Sequence, residues 1–114
     1  DNYFNTIDTT IETIHRIIDN NNNKEIYLWP CSIHNIYLLK FTEFQIDKIE
    51  GFLDNSVQKV GKIVYGTNKL CYSFNHLLER EKKNYLIILN GGPFNYELEK
   101  FCKDNNLDYT LLNK

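Results

Sequence analysis

Residues 85–112 read YLIILNGGPFNYELEKFCKDNNLDYTLL, and this stretch decides the fold. Tyr85-Leu86-Ile87-Ile88-Leu89 is the most apolar run in the chain and is closed by Asn90-Gly91-Gly92-Pro93. A short apolar run bounded by turn residues suits a central strand covered on both faces. Phe94, Leu98, Phe101 and Cys102 then recur at helical spacing, and residues 108–112 return to a short strand pattern. Strand, helix and strand joined by short connections imply two parallel strands of one sheet, linked by a right-handed crossover.

The same alternation extends toward the N-terminus. Glu25-Ile26-Tyr27-Leu28-Trp29 reads as a strand broken by Pro30, and Ser32 as the N-cap of a helix over 32–42 with Ile33, Ile36, Tyr37 and Leu39 at helical spacing. KIEGFLD (48–54) is a second strand, with Ile49, Phe52 and Leu53 as its hydrophobic positions and Asp54-Asn55 as its closing turn. Residues 56–69 hold Gly61, Gly66 and many polar side chains and read as a long loop with a short extended piece at KIVYG (62–66). KLCY (69–72) is a third strand, and Ser73 caps a short helix over SFNHLLER (73–80). Ahead of all these, Ile7, Ile11, Ile14 and Ile18 mark one face of a leading helix, capped by Thr6 or Asp8. The run Asn20 to Asn23 stops it, because asparagine competes for backbone hydrogen bonds and tolerates the left-handed conformation. The expected fold class is α/β: a small Rossmann-like three-layer domain over 24–114, with a mostly parallel sheet of about four or five strands. A helix and Asn-rich linker over 1–23 precede it.

A length of 114 residues fits one domain. With 13 basic against 15 acidic side chains, a net charge of -2 supplies no broad field for nucleic acid or an anionic membrane, and no local basic patch replaces one. The apolar runs fall far short of the roughly 20 residues that cross a bilayer. Cys31, Cys71 and Cys102 are widely spaced without a CxxC pair, so neither a disulfide framework nor a zinc site is signalled, and no metal is expected. They read as buried thiols in a reducing compartment, the cytoplasm. The absence of methionine reads as a piece of a larger protein, with no signal peptide visible.

Ligands of open parallel sheets bind outside the carboxyl ends of the strands, at the topological switch point. That rule places a candidate substrate site at Pro30, Cys31, Ser32, Ile33 and His34, at Asp54 and Asn55, and at Asn90, Gly91 and Gly92. The loop WPCSIH has no glycine where a dinucleotide fold carries its fingerprint, which argues against an ordinary NAD site. The helix start beside Ser32 is either a phosphate or carboxylate site, using free N–H groups and the macrodipole, or a plain turn. His34 is the one catalytic candidate, as a general acid or base; the other readings are a ligand contact or a histidine capping its own turn. Asp54 suits either ribose hydroxyls or a turn. Gly91 and Gly92 either let the backbone approach a ligand or simply end the strand. Cys31, without a basic partner in sequence reach, reads as an inert thiol, and His15 and His76 as structural.

The runs IYLWPCSIHNIYLLKF (26–41), KIEGFLDNSVQKVGKIVYGTN (48–68) and YLIILNGGPFNYEL (85–98) resemble the C-terminal Rossmann-like domain behind the catalytic domain of S-adenosylmethionine-dependent sugar C-methyltransferases. They are similar also to the small N-terminal nucleotide-sugar domain of sugar acyltransferases. The shared pattern includes Asp54-Asn55, Lys59-Val60-Gly61 and Tyr65-Gly66-Thr67, within a resemblance that covers residues 24–114. It implies a domain that binds or positions the nucleotide-sugar substrate of a multidomain transferase in glycan or polysaccharide biosynthesis, with the catalytic centre largely in another domain. Ser32, Ile33 and His34 match the nucleotide-binding loop of the acyltransferases, with Asp54 as a lesser candidate, while Trp29-Pro30-Cys31 stands where those have glycine and alanine. S-adenosylmethionine would belong to the neighbouring domain, so no cofactor is expected here. The implied partners are a nucleotide-sugar and that neighbouring domain, with dimerisation left open. Two other readings stand beside this one. The first is a non-catalytic assembly module that has lost ligand binding and packs its helix 6–19 on a partner. The second is an independent sugar-modifying transferase using His34, which needs a second catalytic group.

Overall fold

In the computed structural model, which describes residues 2–41, 47–64, 66–81 and 83–112, five strands form one sheet. They are β1 (Glu25–Trp29), β2 (Ile49–Leu53), β3 (Leu70–Tyr72), β4 (Tyr85–Leu89) and β5 (Tyr109–Leu111), in the order β3-β2-β1-β4-β5. Every neighbouring pair is parallel, with Tyr27 beside Gly51 on one side and Ile87 on the other. The chain lays β1, β2 and β3 outward in one direction, then returns past β1 to lay β4 and β5. YLIIL is therefore an interior strand, while the middle of the sheet belongs to β1.

The apolar side chains of these strands divide between two cores, alternating with period 2 along β1 and β4, while the β1–β2 pairing carries an irregularity that leaves Ile49 and Phe52 in one core. Ile26, Leu28, Ile49, Phe52 and Ile88 face one side, where Ile14 and Ile18 of α1 (Asn2–Asn20) and Leu38 and Leu39 of α2 (Ile33–Phe41) cover them. Tyr27, Trp29, Leu53, Ile87 and Leu89 face the other, beneath Leu77 of α3 (Asn75–Leu78) and Cys102 of α4 (Asn95–Asp104). The result is a three-layer α/β sandwich in which α1 forms part of one outer layer. Gly51 shows how closely β2 and β3 approach: a Cβ there would lie 2.6 Å from the Leu70 carbonyl oxygen and 2.7 Å from the Tyr72 ring.

Local signals explain most element ends, and four expectations change. Helix α1 starts at Asn2, so Thr6 and Asp8 lie inside it rather than capping it. Its C-terminus is closed by Asn21, whose side-chain amide donates to the Ile17 carbonyl at 2.8 Å and so satisfies an orphan acceptor. Ser32 caps α2 as its sequence suggests: its Oγ accepts the Asn35 N–H at 3.1 Å. The phase of α2 differs, however, because the helix is apolar on nearly all sides and periodicity cannot orient it. Asn35, Leu38 and Leu39 face inward, leaving Ile33 82% and Tyr37 57% exposed; the expected end at Thr42 lies outside the described residues. Ser73 does not cap α3 with its hydroxyl. The N-cap is Phe74, without a side-chain bond, and Ser73 offers only its carbonyl to the His76 N–H. Phe94 falls in a 3-10 turn (Gly92–Phe94) ahead of α4, out of helical phase, and is exposed.

Toward the start of β1 a polar cluster pins α3 to the sheet. Tyr27 Oη donates to Glu25 Oε1 at 2.8 Å, and Arg80 donates to Glu25 at 2.6 Å and to His76 Nε2 at 3.0 Å. His76 stacks on Tyr72 at 4.2 Å. Burial works against the Glu25 carboxylate, but the hydrogen bonds from Tyr27 and Arg80 outweigh it and hold the group below the usual carboxylate range.

Because Ile18 is buried in the same cluster as Ile26 and Leu28, Ile18→Ala is expected to cost about 2–4 kcal/mol. Urea unfolding monitored by Trp29 fluorescence reads this directly. An unchanged midpoint would mean that α1 contributes nothing to the sheet's stability.

Candidate functional site

Strands β1 and β4 end side by side, and the chain leaves them toward different helices, α2 and α4. This is the switch point of the sheet. The two departing loops are locked together by a pair of buried amides. Asn35 is fully buried and Asn90 nearly so, and Asn90 Nδ2 donates to Asn35 Oδ1 at 2.8 Å. Asn35 Nδ2 in turn donates to the Pro30 carbonyl at 2.7 Å and the Asn90 carbonyl at 3.2 Å. Backbone adds one more link, from the Asn90 N–H to the Trp29 carbonyl at 2.9 Å.

The end of β2 joins the same network through Asp54. Its Oδ2 accepts the Cys31 N–H at 3.1 Å and its Oδ1 the Ser56 N–H at 2.8 Å, the latter forming an Asx turn. Lys59 reaches over from the following loop, donating to the Cys31 carbonyl at 2.9 Å and lying 3.8 Å from the Asp54 carboxylate. Pro30, Cys31, Ser32, Asp54 and Asn90 are thus brought together by direct hydrogen bonds or through Asn35. Asn55 and His34 are exposed at the same edge, and Ile33 projects into solvent.

The glycines have structural reasons of their own. A Cβ on Gly91 would lie 2.4 Å from a Leu98 methyl, so a side chain there would require Leu98 to shift, and Gly92 has φ of +57°. The Gly91 N–H is held by Asn95 Oδ1 at 2.7 Å. Cys31 is buried; burial pushes its thiol up, against the opposing effects of its hydrogen bond with Cys71 and the Lys59 charge. Cys71 is pushed up to about 12, again chiefly by burial. Both are unreactive thiols on this chemistry.

The edge offers donors more than reactive groups. With Ser32 capping the Asn35 N–H, the Ile33 and His34 N–H groups stay outside the helical ladder at the positive end of α2. A cleft of about 410 Å³ opens beside Asp54, lined also by Asn55, Ser73, Asn75 and the rings of Phe74 and Phe101. That size and mixed lining are those of small-molecule sites. Among the described residues His34 has no hydrogen-bonded acid to orient its ring, and no group of three His, Cys, Asp or Glu side chains is placed to hold a metal.

Sequence reasoning did not single out Asn35. Its burial becomes evident only once Leu38 and Leu39 are seen to face inward, which makes Asn35 a polar group on a buried face that must find partners. Lys59 lies in the Lys59-Val60-Gly61 motif, but its reach back to Cys31 depends on loop geometry that spacing does not show.

Compared with family models, curated proteins and solved structures, the chain matches none.

Asp54→Ala removes the acceptor of two backbone N–H groups and is expected to cost about 2–3 kcal/mol. Asp54→Asn, which retains one acceptor oxygen, should cost less. Chemical denaturation of the two variants checks this, and equal stability of all three proteins would show that Asp54 braces neither loop.

Proposed function

We propose that this domain binds or positions the nucleotide-sugar substrate of a multidomain sugar-modifying transferase, of methyltransferase or acyltransferase type, in glycan or polysaccharide biosynthesis. The observation that carries the reading is the convergence, at the carboxyl end of the sheet, of the N–H groups at the start of α2, the exposed His34 and the mixed polar and apolar cleft beside Asp54. An anion fits the helix start and hydroxyl groups fit the carboxylate and amides of the cleft.

Catalysis falls to a neighbouring domain, where S-adenosylmethionine would also bind, because His34 lacks an orienting acid among the described residues. Phe94 and Tyr96, 65% and 78% exposed beside the end of β4, offer apolar surface for that neighbour. Three buried, unbridged thiols suit the reducing cytoplasm. An assembly role through α1 has less support, since Ile14 and Ile18 of its apolar stripe are already spent in the core.

Calorimetric titration with a panel of nucleotide-sugars, free nucleotides and S-adenosylmethionine tests the reading. A nucleotide-sugar is expected to bind, and His34→Ala to weaken it about five- to tenfold, the loss of one hydrogen bond. Silence across the panel from folded protein, or binding of S-adenosylmethionine, would contradict the proposal.

A further inference from the structure

A second concavity lies beside the strand ends, between the first turns of α2 and residues 58–64. It is a groove of about 350 Å³ whose walls are Ile33, Ile36, Ile63 and Val64, with the buried Cys31 also lining it. Ile33 and Ile63 are 82% and 61% exposed, so two large aliphatic side chains stand in water along one groove. Leaving such area uncovered forgoes roughly 25 cal/mol for each Å².

The charge around this groove is one-sided. Lys59 and Lys62 line it, and among the described residues no carboxylate does. The Lys59 amine is held at the Cys31 carbonyl and near Asp54. Lys62 has no carboxylate within ion-pair distance among the described residues. A local positive rim on a chain of net charge -2 selects against cations and for an anionic head group. Among the described residues the lining contains no aromatic ring, which suits a flexible aliphatic body over a flat one.

We propose that this groove binds a small amphipathic anion, with its aliphatic part lying between Ile33 and Ile63 and its carboxylate or similar head group on Lys62. The groove is a different concavity from the cleft beside Asp54, although it shares Ile33 with the helix start given to the nucleotide-sugar, and the proposal does not rest on nucleotide-sugar binding.

The probes are octanoate and octylamine, titrated into the protein while backbone amide chemical shifts are followed. Octanoate is expected to produce saturable shifts centred on Ile33, Ile63 and Val64, and octylamine to bind about tenfold more weakly. Lys62→Gln and Ile63→Asn, both at exposed positions that the fold tolerates, should each weaken octanoate about fivefold. Equal binding of the amine, an unchanged affinity in Lys62→Gln, shifts centred elsewhere or a failure to saturate would each overturn the proposal. So would concentration-dependent shifts at these amides without ligand, which would give the groove to a second copy of the chain.

Discussion

The buried amide pair Asn35–Asn90 is the constraint on which the strand-end architecture depends. Two amides removed from water are costly unless their donors and acceptors are matched, and here Asn90 Nδ2 donates to Asn35 Oδ1 while Asn35 Nδ2 donates to the Pro30 and Asn90 backbone carbonyls. Those contacts fix where the chain leaves β1 and β4. Once the Pro30–Ser32 turn is placed, the Cys31 N–H meets Asp54 and the Cys31 carbonyl meets Lys59, so the end of β2 is tied in as well. The polar cleft and the apolar groove lie on either side of this braced loop.

Packing beneath the loop explains why a bulky residue stands at this turn. Trp29 points down into the core, with its ring 4.4 Å from Phe74 and 5.5 Å from Phe101 in edge-on contacts. Its volume is therefore spent joining β1 to α3 and α4, away from the surface where a ligand would approach. The approach is left to Ser32, Ile33 and His34, and the first two already differ in role: Ser32 is committed to capping, whereas Ile33 is free in solvent.

Much of the fold was legible because the decisive signals are local. EIYLW and YLIIL are apolar at almost every position and read as strands, YLIIL as one covered on both faces, and the intervening helices and turns pointed to a parallel sheet. Ser32 and Asp54 act as their types suggest, as an N-cap and a turn residue. What failed had weaker local signals. The helix IHNIYLLKF is apolar on nearly all sides, so nothing in its periodicity said that Asn35 faces inward and Ile33 outward. The middle position of β1 follows from the order in which strands are laid down, which composition does not encode. At the site, the cluster of loops was legible from the switch-point rule, but the isolation of His34 and the Leu98 contact beneath Gly91 are tertiary facts.

A double-mutant cycle on Asn35→Ala and Asn90→Ala, read by urea unfolding, tests the central claim most directly. If the amides stabilise the switch point as a pair, each single change costs about 1–3 kcal/mol and the double change costs less than their sum, with a coupling of about 1–3 kcal/mol. Single effects that add to within about 0.5 kcal/mol would mean that the two residues act independently, and the account of a strand edge organised by one buried amide pair would be wrong.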